Sequence, residues 1–160
     1  MKRLLARLFA RPEPILSEAG PRDAAAFAVL HGATFRRGWS EDEFERLLVD
    51  PSVLAHRAAL GPRPVGFIVS RIVAGEAEIL SVAVARAQQG RGLGRRLLDL
   101  HLRRLAGLGV RTVFLEVDDD NVPARRLYAR SAFREVGRRD GYYPRAGTAG
   151  GAALVLRRDL

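Results

Sequence analysis

The chain has 160 residues, 48% of them hydrophobic and 28% charged, with no cysteine. This suits one domain with a substantial core and excludes disulfides, thiolate metal sites and a cysteine nucleophile. The formal net charge is +9, a field that favours an anionic partner without choosing between nucleic acid, an anionic membrane and a cofactor carrying several phosphates.

Residues 1–14 place Leu4, Leu5, Leu8 and Phe9 at helical spacing against Lys2, Arg3, Arg7 and Arg11, before Pro12 and Pro14. They read as a basic amphipathic arm, with the frayed extension favoured over a targeting segment or a membrane-surface helix. There is no signal-peptide pattern, and no apolar run approaches the ~20 residues of a membrane span. The expectation is a cytoplasmic protein with a single domain over residues 15–160.

Ile15–Glu18 reads as a strand. A helix follows over Ala24–Phe35 with Asp23 as its N-cap. Ser40 opens a second helix and Glu43 completes a capping box; Pro51 ends it. Val53–Leu60 and Val65–Val73 form an antiparallel hairpin around Gly61-Pro62-Arg63-Pro64, and Ala77–Val84 is a further strand. From Leu93, two leucine rows at i, i+3, i+4 spacing make a helix with a broad buried face, ended by Gly107 or Gly109. Thr112–Val117 is a strand, Asn121 caps a helix running to Ala132, and Glu135–Arg138 and Ala152–Arg158 are the last strands. The order β-α-α-β-β-β-α-β-α-β-β describes a mixed α/β sheet protein with one strand–helix–strand crossover. His31, His56 and His101 lack metal-ligand spacing and are expected to be surface or partly buried; no metal is expected.

Residues 82–95 carry the strongest signal. An apolar strand, Val82-Ala83-Val84, leads into a loop with glycines at 90, 92 and 94, and a helix starts at once. Glycine admits close backbone approach, and free N–H groups at a helix N-terminus suit phosphate. A Walker loop is excluded because the only lysine is Lys2. The dinucleotide fingerprint fails at Arg95, where it requires glycine. Gln-x-x-Gly-x-Gly fits throughout, from Gln89 to Gly94. On strand 112–117, Glu116 faces away from Val113, Leu115 and Val117, so it borders a polar cleft or meets one of the many arginines. Asn121 and Tyr128 stand two turns apart on one helix face.

The Gln89–Gly94 loop resembles the acetyl-coenzyme A pyrophosphate loop of the GNAT superfamily, whose fold has the element order given above. Leu115-Glu116-Val117, Asn121, Leu127-Tyr128 and Phe133 resemble the RimI-type members, which acetylate the N-terminal alanine of a small-subunit ribosomal protein. So do Phe35 with Trp39-Ser40, and Arg138-Arg139-Asp140-Gly141-Tyr142-Tyr143-Pro144 with one residue inserted. The resemblance spans about residues 15–158. It implies Glu116 as general base and Tyr128 as general acid. It implies cofactor contacts from Val82, Ala83, Val84, Gln89, Gly90, Arg91, Gly92, Leu93, Gly94, Arg95 and Asn121. The acceptor segments carry Trp39, Arg139, Tyr142 and Tyr143. Ala85-Arg86-Ala87 lacks the Asp-Pro common there, and the extra charge at 36–38 and the glycines of 147–151 put the acceptor in question.

The residue types suit direct acetyl transfer. An α-amine with a pKa of roughly 7.7–8.0 is mostly protonated at neutral pH, so a base at Glu116 is useful. A thiol of pKa ~8.5 leaves more easily when Tyr128 donates a proton, and a backbone N–H from Val82–Val84 can hold the developing oxyanion. The expected protein is an acetyl-CoA-dependent N-acetyltransferase acting on the N-terminal alanine of a ribosomal protein. A small-molecule amine or a lysine side chain is the alternative acceptor. A non-catalytic acyl-CoA- or nucleic-acid-binding module is the alternative of another class, and the oligomeric state is left open.

Overall fold

A computed structural model describes residues 11–143 and 151–160. Most of the amphipathic arm, Pro144 and the glycines 147–150 lie outside the described residues. The elements are β1 (Ile15–Glu18), α1 (Ala24–Thr34), α2 (Glu41–Val49), β2 (Val53–Leu60), β3 (Arg63–Val73), β4 (Glu76–Val84), α3 (Leu93–Gly107), β5 (Thr112–Asp118), α4 (Val122–Arg130), β6 (Arg134–Tyr143) and β7 (Gly151–Asp159). The order matches the sequence reading. Seven strands form one sheet in the order β1-β2-β3-β4-β5-β7-β6. Among the described residues only β4 and β5 pair in parallel, joined by the crossover through α3. No helix among the described residues is long and apolar enough to cross a membrane.

Strand alternation divides the core. On one face, Leu93, Leu97, Leu98, Leu102 and Leu105 of α3 pack with Leu54, Ile68, Ile79, Leu115 and Val117. On the other, Phe27 of α1 and Phe44 of α2 close over Phe67 and Val69 of β3 and Ala83 of β4. Phe27 stacks on Phe67 at 4.4 Å, and Phe44 meets both rings edge-on. Glu116 therefore faces the side of the sheet that α1 and α2 cover, opposite its neighbours Leu115 and Val117.

The capping box of α2 forms as expected: Glu43 N–H donates to Ser40 Oγ at 3.2 Å, and Ser40 N–H to Glu43 Oε2 at 2.7 Å. That second bond leads the effects holding the Glu43 carboxyl below its ordinary range. Asp23 departs from expectation. It closes a 3-10 turn, Pro21–Asp23, and makes no side-chain cap on α1. Its buried carboxylate is claimed by Arg57 of β2 at 2.7 Å and by Gly20 N–H at 3.0 Å. The β2–β3 turn is tighter than predicted, with Leu60 paired to Arg63 and Gly61 at φ 58°. β6 is longer because its pairing with β7 resumes at Tyr143 after an irregularity.

The histidines are the largest correction: all three are buried. His56 and His101 meet Nδ1 to Nδ1 at 2.8 Å, and His101 Nε2 contacts Ser70 Oγ at 2.7 Å. Partners from β2, β3 and α3 make this burial tolerable. Burial pushes His101 down to about 3, helped by the neighbouring His56. Burial also lowers His56, with Glu18 opposing and Arg104 reinforcing.

Both folded-state values lie below the ~6.5 of an unfolded histidine, so the unfolded chain binds the extra protons as pH falls. This contribution to stability is whole above about pH 6.5 and is lost as pH falls toward the folded values. Urea midpoints measured from pH 7.5 to 4.5 are expected to fall, at up to about 1.4 kcal/mol per pH unit for each proton. His101→Gln is expected to flatten that slope whatever its effect on stability at pH 7.5.

Candidate active site

The site begins where two strands part. β4 and β5 pair from Glu76/Thr112 to Ile79/Leu115 and no further. Beyond that, β4 continues beside β3 as far as Val84, and β5 beside β7 as far as Asp118. The parting coincides with a β-bulge: Val69 pairs with Ser81 but Ser70 with Ile79, leaving Leu80 without a partner. A bulge bends and twists its strand, and here it carries β4 away from β5. A gap opens through the sheet.

Ladder alternation determines which backbone groups face this gap. Ala85 N–H donates to Val65 C=O, so residues 81, 83 and 85 spend their groups on β3. Val82 and Val84 direct theirs into the gap. Of the three predicted backbone contacts, Ala83 is thus committed to the sheet, with its methyl in the aromatic cluster. Ser81 Oγ, buried beside the bulge, has no hydrogen-bond partner among the described residues.

The glycine loop closes one end of the gap. Gly90 and Gly92 have φ of 73° and 77°, and a Cβ on either would point into open space. Gly92 stands at the N-cap of α3, where no side chain caps the helix and the first turn holds no acid. The first helical bond is Arg96 N–H to Gly92 C=O, which leaves the N–H groups of Leu93, Gly94 and Arg95 for a ligand. Gln89 has a bracing role: its Nε2 donates to Val84 C=O at 2.9 Å. Gly94 fits between Val84 and Leu127 of α4. Arg91 and Arg96 both meet Glu13, at 3.5 and 3.1 Å, and Arg95 meets Asp99 at 3.7 Å. Donors, missing side chains and positive charge together fit a pyrophosphate-bearing ligand.

Two titratable groups lie on opposite faces of β5. Glu116 lies one residue past the last β4–β5 pair, and its Oε1 is 3.1 Å from Arg139 Nη2 of β6. The guanidinium of Arg139 also lies over the Tyr142 ring, 5.7 Å from its centroid. Three predicted residues are therefore gathered here: Glu116, Arg139 and Tyr142. Tyr143 ends β6, and its side chain lies outside the described residues. Tyr128 sits on the α3 face, in the cluster with Leu115 and Val117 and edge-on to Phe133 at 5.6 Å. Burial pushes its phenol up to about 12. Asn121 caps α4, accepting from Ala124 N–H at 3.2 Å, so its carboxamide oxygen is engaged. Trp39 belongs to the α1–α2 connection on the Glu116 face. Sequence reasoning missed the Arg139–Glu116 pair, which joins β5 to β6 across β7.

The acetyltransferase (GNAT) family model matches residues 24–133. The chain belongs to that family. Among curated relatives, a [ribosomal protein bS18]-alanine N-acetyltransferase of Haemophilus influenzae is 36% identical over 92 residues, which are 58% of this chain and 62% of that enzyme. A mycothiol acetyltransferase of Streptomyces bingchenggensis is 35% identical over 142 residues, covering 76% of this chain and 45% of that protein. The chain thus spans less than two thirds of either. The crystal structure of the ribosomal-protein-S18-alanine N-acetyltransferase from Escherichia coli superposes with a TM-score of 0.84 at 27% identity, covering 91% of this chain and 93% of that one.

The glycine loop generates a test. Gly92→Asn keeps a residue that tolerates positive φ but fills the open space over the uncapped N-terminus. Calorimetric affinity for coenzyme A is expected to fall roughly tenfold or more, the cost of one or two charge-assisted hydrogen bonds. Unchanged affinity in the folded variant would place the anion seat elsewhere.

Proposed function

We propose that the protein is an acetyl-CoA-dependent N-acetyltransferase whose acceptor is the α-amine of a protein N-terminus, an N-terminal alanine of a ribosomal protein fitting best. The observation that carries this reading is the gap between β4 and β5, with a carboxylate at one face and a buried phenol at the other. Family membership supports the chemistry. The bS18-alanine acetyltransferases among its relatives support the acceptor.

In this reading Val82 and Val84 hold the thioester arm along the gap, and the start of α3 holds the pyrophosphate. When bound, acetyl-CoA supplies an activated acetyl group. Glu116, directly or through a water, takes the proton from the acceptor amine as it attacks the carbonyl. It first has to exchange Arg139 for the amine. A backbone N–H of Val82 or Val84 steadies the carbonyl oxygen as charge builds on it. Tyr128 serves as general acid from the opposite face. With its phenol at about 12, it keeps its proton throughout the neutral range. Full transfer to a thiolate whose thiol titrates at ~8.5 is uphill, so its main contribution is a hydrogen bond to the departing sulfur.

The acceptor side carries carboxylates among its arginines. Glu76 and Glu78 of β4 lie in register with Thr112 and Phe114, on the same face as Glu116. Arg139 beside Glu116 and Arg157 over the Phe114 ring stand among these carboxylates, and at physiological ionic strength each charge acts mainly within about 8 Å. An amine-bearing acceptor therefore meets these local groups more than the net charge of +9. A small-molecule amine is the second reading, favoured by the mycothiol acetyltransferase relative.

Glu116→Gln is expected to bind acetyl-CoA normally and to lose turnover by roughly 10²–10⁴-fold. Loss confined to KM would instead make Glu116 a substrate-positioning group. A peptide starting with Ala-Arg is expected to be acetylated at its α-amine, and Tyr142→Ala to raise the KM for peptide more than for acetyl-CoA. Mass spectrometry showing the label only on lysine side chains or small amines would favour the second reading or a lysine acceptor.

A further inference from the structure

The α1–α2 connection folds back over the end of α1. Gly38 lies so close to Gly32 that a Cβ on Gly38 would stand 2.9 Å from the Gly32 Cα, a separation real side chains do not adopt. Beneath this contact sits His31, 4% exposed. Its Nδ1 accepts a hydrogen bond from Trp39 N–H at 3.0 Å. Its ring stacks on the Trp39 indole at 4.6 Å with planes 18° apart, tilts against Phe35 at 4.4 Å, and meets Phe44 edge-on at 5.7 Å. One imidazole thus organises the whole connection.

The two rings it holds are not themselves fully buried. Phe35 is 36% exposed and Trp39 is half-buried. Both lie in the segment joining the two helices that cover the face of the sheet to which Glu116 points. Aromatic surface held rigid on that face is apolar area available for a ligand at little cost in ordering.

We propose that His31 is a positioning residue for acceptor binding: it fixes Phe35 and Trp39 as a preformed aromatic wall against which the first side chains of an acceptor peptide seat. This rests on the reading of the protein as a peptide N-acetyltransferase. The acceptor role of Nδ1 requires a neutral ring with its proton on Nε2. Burial favours that form, lowering the imidazole's affinity for a second proton against the opposing charge of Glu43 on α2. Without His31, the two aromatic side chains are ordered only when peptide binds, a cost of about tenfold in affinity.

Trp39 is the only tryptophan of the chain, so its fluorescence reports on this connection directly. The test uses His31→Leu, which fills space but cannot accept, and His31→Asn, whose Oδ1 can stand in for Nδ1. Gly38→Ala displaces the connection without touching His31, and serves if His31→Leu does not fold. His31→Leu and Gly38→Ala are expected to shift Trp39 emission to the red and raise peptide KM about tenfold, leaving kcat and the KM for acetyl-CoA unchanged. His31→Asn is expected to restore most of both signals.

A red-shifted variant with unchanged peptide KM would overturn the proposal, as would a fall in kcat or a rise in acetyl-CoA KM of similar size. Failure of the wild-type protein to acetylate any peptide would instead overturn the peptide reading. Trp39 emission across the three variants would still show whether His31 holds the connection.

Discussion

The parting of β4 from β5 is the constraint on which the rest of the molecule depends. Parallel neighbours normally keep their hydrogen bonds along their full length. Here each strand has a second neighbour, β3 or β7, that satisfies one side of its backbone, and the bulge at Leu80 bends β4 out of reach on the other. The groups released are costly to leave unpaired, at about 1–3 kcal/mol for each buried polar group. The backbone of Val82 and the N–H of Val84 therefore line the slot, while Gln89 occupies the Val84 carbonyl and the Ser81 hydroxyl is buried without a partner among the described residues. The helix pairs on the two faces support the sheet on either side of that slot.

Charge is distributed along the same division. The start of α3 gathers Arg91, Arg95 and Arg96 around an uncapped helix end, with Glu13 and Asp99 as partial counterions. The opposite face carries Glu76, Glu78, Glu116 and the run Asp118–Asp120, with Arg138 on Asp119 and Arg139 on Glu116. A net +9 conceals this polarity, because screening limits each group to its own neighbourhood. Arg139, set against Glu116, keeps that carboxylate partnered.

Local signals were legible in the sequence, and pairings between distant segments were not. Ser40 with Glu43 and Asn121 with Ala124 are contacts within one helical turn, so their residue types sufficed. The glycines at 90 and 92 were readable because positive φ is a property of single residues. Asp23 looked like an equally good cap, but Arg57, 34 residues away, claims its carboxylate. Glu116 was placed on its face by alternation alone, whereas its arginine could be named only once β7 had brought β6 beside β5. Ala83 was grouped with Val82 and Val84 because ladder alternation depends on register, which no local pattern reveals. The histidines were misjudged for the same reason: His56 and His101 are 45 residues apart.

That pair of histidines has a mechanical consequence. The buried stripe of α3 is almost all leucine, and one leucine row can take the place of the next if the helix slides by a turn, about 5.4 Å. Hydrophobic packing alone would resist such a slip only weakly. His101, with both ring nitrogens engaged by His56 and Ser70, converts the slip into three stranded polar groups. It acts as a dowel, fixing the axial position of the helix against β2 and β3. The same rigid rod carries the uncapped N–H groups at its start, two turns away, so a contact inside the core sets where that end of the helix stands.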